Sequence, residues 1–142
     1  MPQTSNILSA LAAHPDAEVT IRVGTEHWSE GRVTLAIRGS GRIRVSRERS
    51  GRCDVLEAEV SRERVDAMGR ALRDAGFANL TARVGSRVPG DVPVVLELEA
   101  GDGDRYTAAL WHGDRHVVPG LDRILRLHES LVAQVSRDAR SA

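Results

Sequence analysis

His112, Asp114 and His116 stand at i, i+2 and i+4, a spacing that would put all three side chains on one face of an extended strand. Imidazole and carboxylate together suit zinc or another transition metal. Gly113-Asp114 is also a turn signal that would scatter those side chains. No HExxH or CxxC pattern supplies a further ligand. The trio is therefore held as a candidate metal set against a polar loop leading into the last helix, and the sequence names no cofactor. A second constellation gathers Glu26, His27, Trp28 and Glu30 in one polar stretch, GTEHWSEG. Two carboxylates and an imidazole can do acid–base work, and a tryptophan in a loop can either cap a core edge or anchor a partner.

The remaining chemical candidates read as structure. Gly101-Asp102-Gly103-Asp104 has the look of a calcium loop, but the closing glutamate an EF-hand needs is missing, and a hairpin turn explains it. Cys53, the only cysteine, lies between Arg52 and Asp54. A neighbouring arginine can lower a thiol pKa, yet no His/Asn companions accompany it, so a structural thiol is expected. His128 falls beside the apolar stripe of the last helix, between Ile124 and Leu131, where a hydrogen-bonded boundary histidine is expected.

Charge is laid out in blocks. The chain has 142 residues with 20 basic and 20 acidic side chains, and its zero net charge argues against a general polyanion binder. Every basic residue is arginine. From Arg32 to Arg52 there are seven arginines and one acid, Glu48, whereas Gly90 to Asp104 carries five acids and no base. Neighbouring hairpins would let the two sets neutralise each other; separated ones would form an arginine-rich patch and an acidic patch. The arginine block has no aromatic residues for base stacking, which argues against nucleic acid.

These side chains must be held by elements that periodicity predicts. A short helix is expected over 4–13, capped by Thr4 or Ser5, followed by a four-strand meander over 18–60. Val45 should face Leu56 and Ile43 should face Ala58, which places Arg44 opposite Glu57 and Arg42 opposite Glu59. The clearest helix covers 61–76: Val65, Met68, Leu72 and Ala75 form its stripe, Ser61 caps it and Gly76 stops it. An irregular stretch precedes a hairpin over 93–111. A helix over 120–137 then leads to a frayed tail over 138–142. Strands followed by helices indicate one α+β domain over 1–142, an antiparallel sheet of about six strands with the two longer helices on one face.

The layout also carries a resemblance. The VTLAIRGSGRIRV hairpin, the helix ending in Ala75-Gly76-Phe77, GDVP at Gly90–Pro93 before LELE, and PGLDRILRLHESL together resemble small uncharacterised bacterial α+β domains. Their order over residues 33 to 135 is similar to that of the emfourin type of metalloprotease inhibitor. GTEHWSEG stands where that family has a glycine-rich segment. The resemblance implies no catalytic residues and favours a non-enzymatic role.

The sequence thus points to a non-catalytic protein–protein interaction module, of inhibitor, immunity or accessory-subunit type, in a bacterial cytoplasm. The N-terminus lacks a basic leader with an apolar run, no stretch is apolar enough to span a membrane, and a single cysteine fits a reducing compartment. The partner is expected to be another protein, with self-association through a sheet edge also open. The residues expected to bind it are Trp28, Glu26, Glu30, Arg42, Arg44, Arg47, Arg49, Arg87 and Asp91. The alternative is a small enzyme or metal-binding protein using His27, Glu30, His112, Asp114 or His116, which would gain if the two histidine loops met at one end of the sheet.

Overall fold

Alternating apolar and polar residues build six strands in chain order: β1 (Glu18–Val23), β2 (Arg32–Arg38), β3 (Arg42–Arg49), β4 (Arg52–Glu59), β5 (Pro93–Glu99) and β6 (Arg105–Trp111). They form one antiparallel sheet in the order β4-β3-β2-β1-β5-β6. The helices are α1 (Pro2–Ser9), α2 (Arg62–Asp74) and α3 (Leu121–Ser141). The computed structural model describes residues 2–25, 27–80, 92–101 and 103–141, so Glu26, Arg87 and Asp91 lie outside the described residues. Among the described residues, no helix is long and apolar enough to cross a membrane.

One face of the sheet carries Val19, Ile21, Leu35, Ile37, Ile43, Val45, Leu96 and Leu110, all buried in one cluster with Val65 and Leu72 of α2 and Ile124 and Leu125 of α3. Period-2 strands and period-3.6 helices thus deliver their apolar sides to the same layer. The other face is mostly polar. Ala36 is buried there, in a shallow trough bordered by Thr20, Arg22, Arg44 and Glu97.

The β3–β4 register is the expected one: Ile43 faces Ala58, Val45 faces Leu56, Arg44 faces Glu57 and Arg42 faces Glu59. Ser50 and Gly51 both have positive φ, as a two-residue turn matched to strand twist requires. The arginine hairpin and the acidic strand β5 are separated by β1. Each set finds partners nearby instead: Arg32 with Glu48 at 3.1 Å, Arg38 with Glu18 at 3.2 Å, and Arg105 with Glu99 at 3.3 Å. The outcome is a sheet of mixed sign.

Two helices differ from expectation. The N-terminal one begins at Pro2, a residue suited to the first helical position, and ends at Ser9; a separate 3-10 turn covers Leu11–Ala13. Thr4 is consequently a buried residue inside the helix and not its cap. The break is fixed from outside, because the Ala12 N–H donates to Asp66 Oδ1 of α2 at 2.8 Å. At the other end, α3 continues to Ser141, since neither glycine nor proline interrupts residues 121–141. The central helix is as expected: Ser61 accepts from the Arg64 N–H at 3.2 Å and Gly76 is left-handed. Phe77, just beyond, is buried and meets the Tyr106 ring, with centroids 5.6 Å apart.

At Gly69, α2 comes close to α1. A Cβ there would sit 2.3 Å from the Leu8 carbonyl oxygen. Alanine would gain about 1 kcal/mol of helix propensity, yet would force two helix backbones apart and cost about 1–3 kcal/mol through overpacking. Gly69→Ala is therefore expected to destabilise the protein in urea unfolding. A higher midpoint would show that α1 yields freely.

Candidate functional site

The two histidine-bearing segments meet at the end of the sheet where β1 runs out and β5 begins. Each hangs from one of two consecutive residues at the start of β5. The Val92 carbonyl accepts the His112 N–H at 2.7 Å, and the Pro93 carbonyl accepts the Gly24 N–H at 3.0 Å. Pro93 opens β5, a position where its missing N–H costs no ladder bond. The β1–β2 loop then folds tightly: the Trp28 N–H donates to the Thr25 carbonyl and the Gly31 N–H to the Trp28 carbonyl. Gly24 leaves room for the indole, since a Cβ there would meet Trp28 Cε3 at 2.7 Å. Trp28 and His112 face each other with centroids 6.4 Å apart and planes tilted by 54°.

Between these rings and α3 lies a cleft of about 320 Å³. Val23, Val33, Leu125 and Val132 give it apolar walls; Glu30, Arg47, Glu129 and Ser136 bring polar groups. Its volume is at the small end of ligand pockets, about 300–1,000 Å³. A wider groove of about 820 Å³ between the end of α2 and the Val117–Gly120 turn has no aromatic ring and no buried polar side chain among its described lining residues.

The expected partner-binding residues separate into groups. Trp28, Glu30 and Arg47 line the cleft. Arg49 supports it from behind, donating Nη2 to the Ser29 carbonyl at 2.7 Å. Arg42 and Arg44 project from the opposite face, because strand alternation sends even-numbered β3 residues away from the core. Those two arginines lie on the outer face, opposite Glu59 and Glu57, and do not line the cleft.

The metal trio does not assemble. Asp114 Oδ2 accepts the Trp111 N–H at 2.9 Å and so closes a 3-10 turn over His112–His116. Arg115 Nη1 lies 3.2 Å from His112 Nε2; guanidinium only donates, so this ring nitrogen is already an acceptor. His116 is exposed and outside the cleft wall. Among the described residues no three His, Cys, Asp or Glu side chains come together to hold a metal. The turn signal at Gly113-Asp114 outweighed the i, i+2, i+4 spacing.

Arg115 was not singled out by sequence, yet it organises this end. Its Nε donates to Asp122 Oδ1 at 2.7 Å, and Nη1 lies 3.9 Å from Glu129. That hydrogen bond holds the Asp122 carboxyl below the usual carboxylate range. Glu129, Val132 and Ser136 were also missed. The i+4 and i+8 spacing of Val132 and Ser136 from His128 along α3 is the signal that could have found those two; nothing local marked Glu129.

His128 is buried, with 5% of its surface exposed, and its Nε2 lies 3.3 Å from the Val33 carbonyl. A carbonyl only accepts, so Nε2 carries the hydrogen. Burial pushes the ring's pKa down, leaving it neutral at pH 7 with a bare Nδ1. This boundary histidine is hydrogen-bonded as expected, but it also forms part of the cleft wall.

No family model matches this chain, and no curated protein matches it.

The unfolded chain protonates His128 below about pH 6.5, whereas the folded protein resists until lower pH. Stability should therefore fall as pH drops from about 6.5 through the folded pKa. The titratable and charged groups that share the cleft with the ring are Glu129 on α3, Arg47 on β3, Glu30 in the loop and His112 on the turn. His128→Gln is expected to flatten the loss between about pH 7 and 5 in urea unfolding. An unchanged slope would assign it to other groups.

Proposed function

We propose that this chain is a non-catalytic interaction module that docks a partner protein at the Trp28–His112 end of the sheet. The carrying observation is the half-buried Trp28 indole, packed on Gly24 and facing His112 beside a cleft of about 320 Å³. Tryptophan and arginine are enriched where interfaces concentrate their energy, and loops on a rigid sheet are where binding residues gather. Inhibitor, immunity protein and accessory subunit in a bacterial cytoplasm are the roles this reading covers; the likeness in layout to emfourin-type domains favours the first. Self-association through the β4 edge is compatible with it: every β4 residue except Ala58 is exposed, Val55 and Leu56 included.

A second reading, a small enzyme working by acid–base chemistry, is favoured by one observation. Glu30, His112 and His128 share the cleft, so the two histidine-bearing segments do meet. On that reading turnover would depend on His112, while the Asp114 cap and exposed His116 would have only indirect roles.

Affinity capture from native-cell lysate, quantified with and without Trp28→Ala, tests the first reading. The substitution is expected to cost about 1–2 kcal/mol of stability, leave a cooperative unfolding transition, and reduce partner recovery by about tenfold or more. Undiminished recovery would remove the cleft as the docking surface. Collapse of the fold would make Trp28 a core residue first.

A further inference from the structure

We propose that the cleft beside Trp28 is a receptor for a cationic side chain, an arginine of the partner polypeptide, with its methylene stem against the apolar wall and its guanidinium between His128, Glu30 and the indole. This rests on the docking reading above and names the group that is docked.

Four observations lead there. The deepest polar group in the wall is an acceptor. His128 uses Nε2 on the Val33 carbonyl, and no other described group hydrogen-bonds the ring. No buried side-chain nitrogen or oxygen among the described residues is left without a partner, so the bare Nδ1 must reach solvent, and the cleft is the solvent space this ring borders. A ligand satisfies it only by donating. Second, carboxylates outnumber cations among the described residues of the wall: Glu30 and Glu129 stand against Arg47. Among the described residues Glu30 makes no ion pair, and Glu129 has only the 3.9 Å contact with Arg115.

Third, the tilted Trp28 and His112 rings form an aromatic corner, and a guanidinium stacks on indole while donating in its own plane. Fourth, Val23, Val33 and Leu125 supply the apolar surface that a long cationic side chain covers with its stem. Arginine meets all four demands with five donors in one plane. An anion would face two carboxylates and a lone-pair nitrogen, with exposed Arg47 as the sole cation among the described lining residues. The modest volume suits one side chain better than a cofactor.

The test titrates the intact protein with N-acetyl-arginine methylamide, following Trp28 fluorescence and the ring ¹⁵N resonances of His128. N-acetyl-citrulline methylamide and N-acetyl-glutamate methylamide are the neutral and anionic controls. Saturable binding of the arginine probe is expected, tighter than the citrulline probe, with the His128 Nδ1 resonance moving on saturation. Glu30→Gln should weaken it about two- to five-fold, the range of an exposed charge pair. Arg47→Gln should tighten it by a similar factor, since it removes the competing cation.

Equal binding of arginine and citrulline probes would overturn the cationic assignment. Preference for the glutamate probe, or loss of binding in Arg47→Gln, would overturn it in favour of an anion. No saturable response to the arginine probe would also overturn it. Trp28-dependent partner capture persisting in any of those cases would leave the docking reading standing, so the two failures separate.

Discussion

The structure depends on β1 being paired on both sides. Val19 faces Ile37 and Leu98, Ile21 faces Leu35 and Leu96, and Val23 faces Val33 and Val94. Six residues therefore join a meander from the first half of the chain to a hairpin from the second. They also set the level at which each apolar layer crosses the sheet. A one-residue slip would turn Val19, Ile21 and Val23 to the solvated face and take both hairpins out of alignment. Val19, Ile21 and Val23 share one buried cluster with side chains of α2 and α3.

The cleft follows from that pairing. Where β1 ends at Val23, the chain leaves the sheet and turns back through Trp28; where β5 begins at Pro93, its neighbour β6 is ending at Trp111. Antiparallel order thus brings a loop and a turn to the same end without any direct sequence relation between them. Arg115 then joins the turn to α3 through Asp122 and Glu129. A loop from the first quarter of the chain and a turn and helix from its last quarter become one wall, and the chemistry of that wall belongs to no local motif.

This explains what the sequence could and could not disclose. The β3–β4 register was legible because a two-residue turn and paired charges, Arg42 with Glu59 and Arg44 with Glu57, specify it locally. The α2 boundaries were legible for the same reason, through Ser61 and Gly76. The place of β1 was not, because its pairing with β5 joins Glu18 to Glu99 and no nearby residue encodes it. The split of the first helix was hidden likewise, since Asp66 imposes it from α2. Trp28 and Glu30 could be suspected from residue type, and His128 could be placed at a boundary. That they border one cavity with His112 depends on the sheet order. The metal trio failed on local grounds: Asp114 had a backbone N–H to cap.

Gly120 has a consequence of another kind. A Cβ there would lie 1.7 Å from the Ala75 carbonyl oxygen, so only glycine lets the start of α3 seat against the end of α2. With that joint fixed, the rotation of α3 about its axis is set by Gly120 and by Leu121, Ile124 and Leu125, all buried. Positions 129, 133 and 136, farther along and bordering the cavity, carry little of that burden. Substitutions there would change the chemistry of the cavity wall without turning the helix that presents it. The lining positions of α3 that are not buried can therefore vary separately from the buried ones that seat the helix.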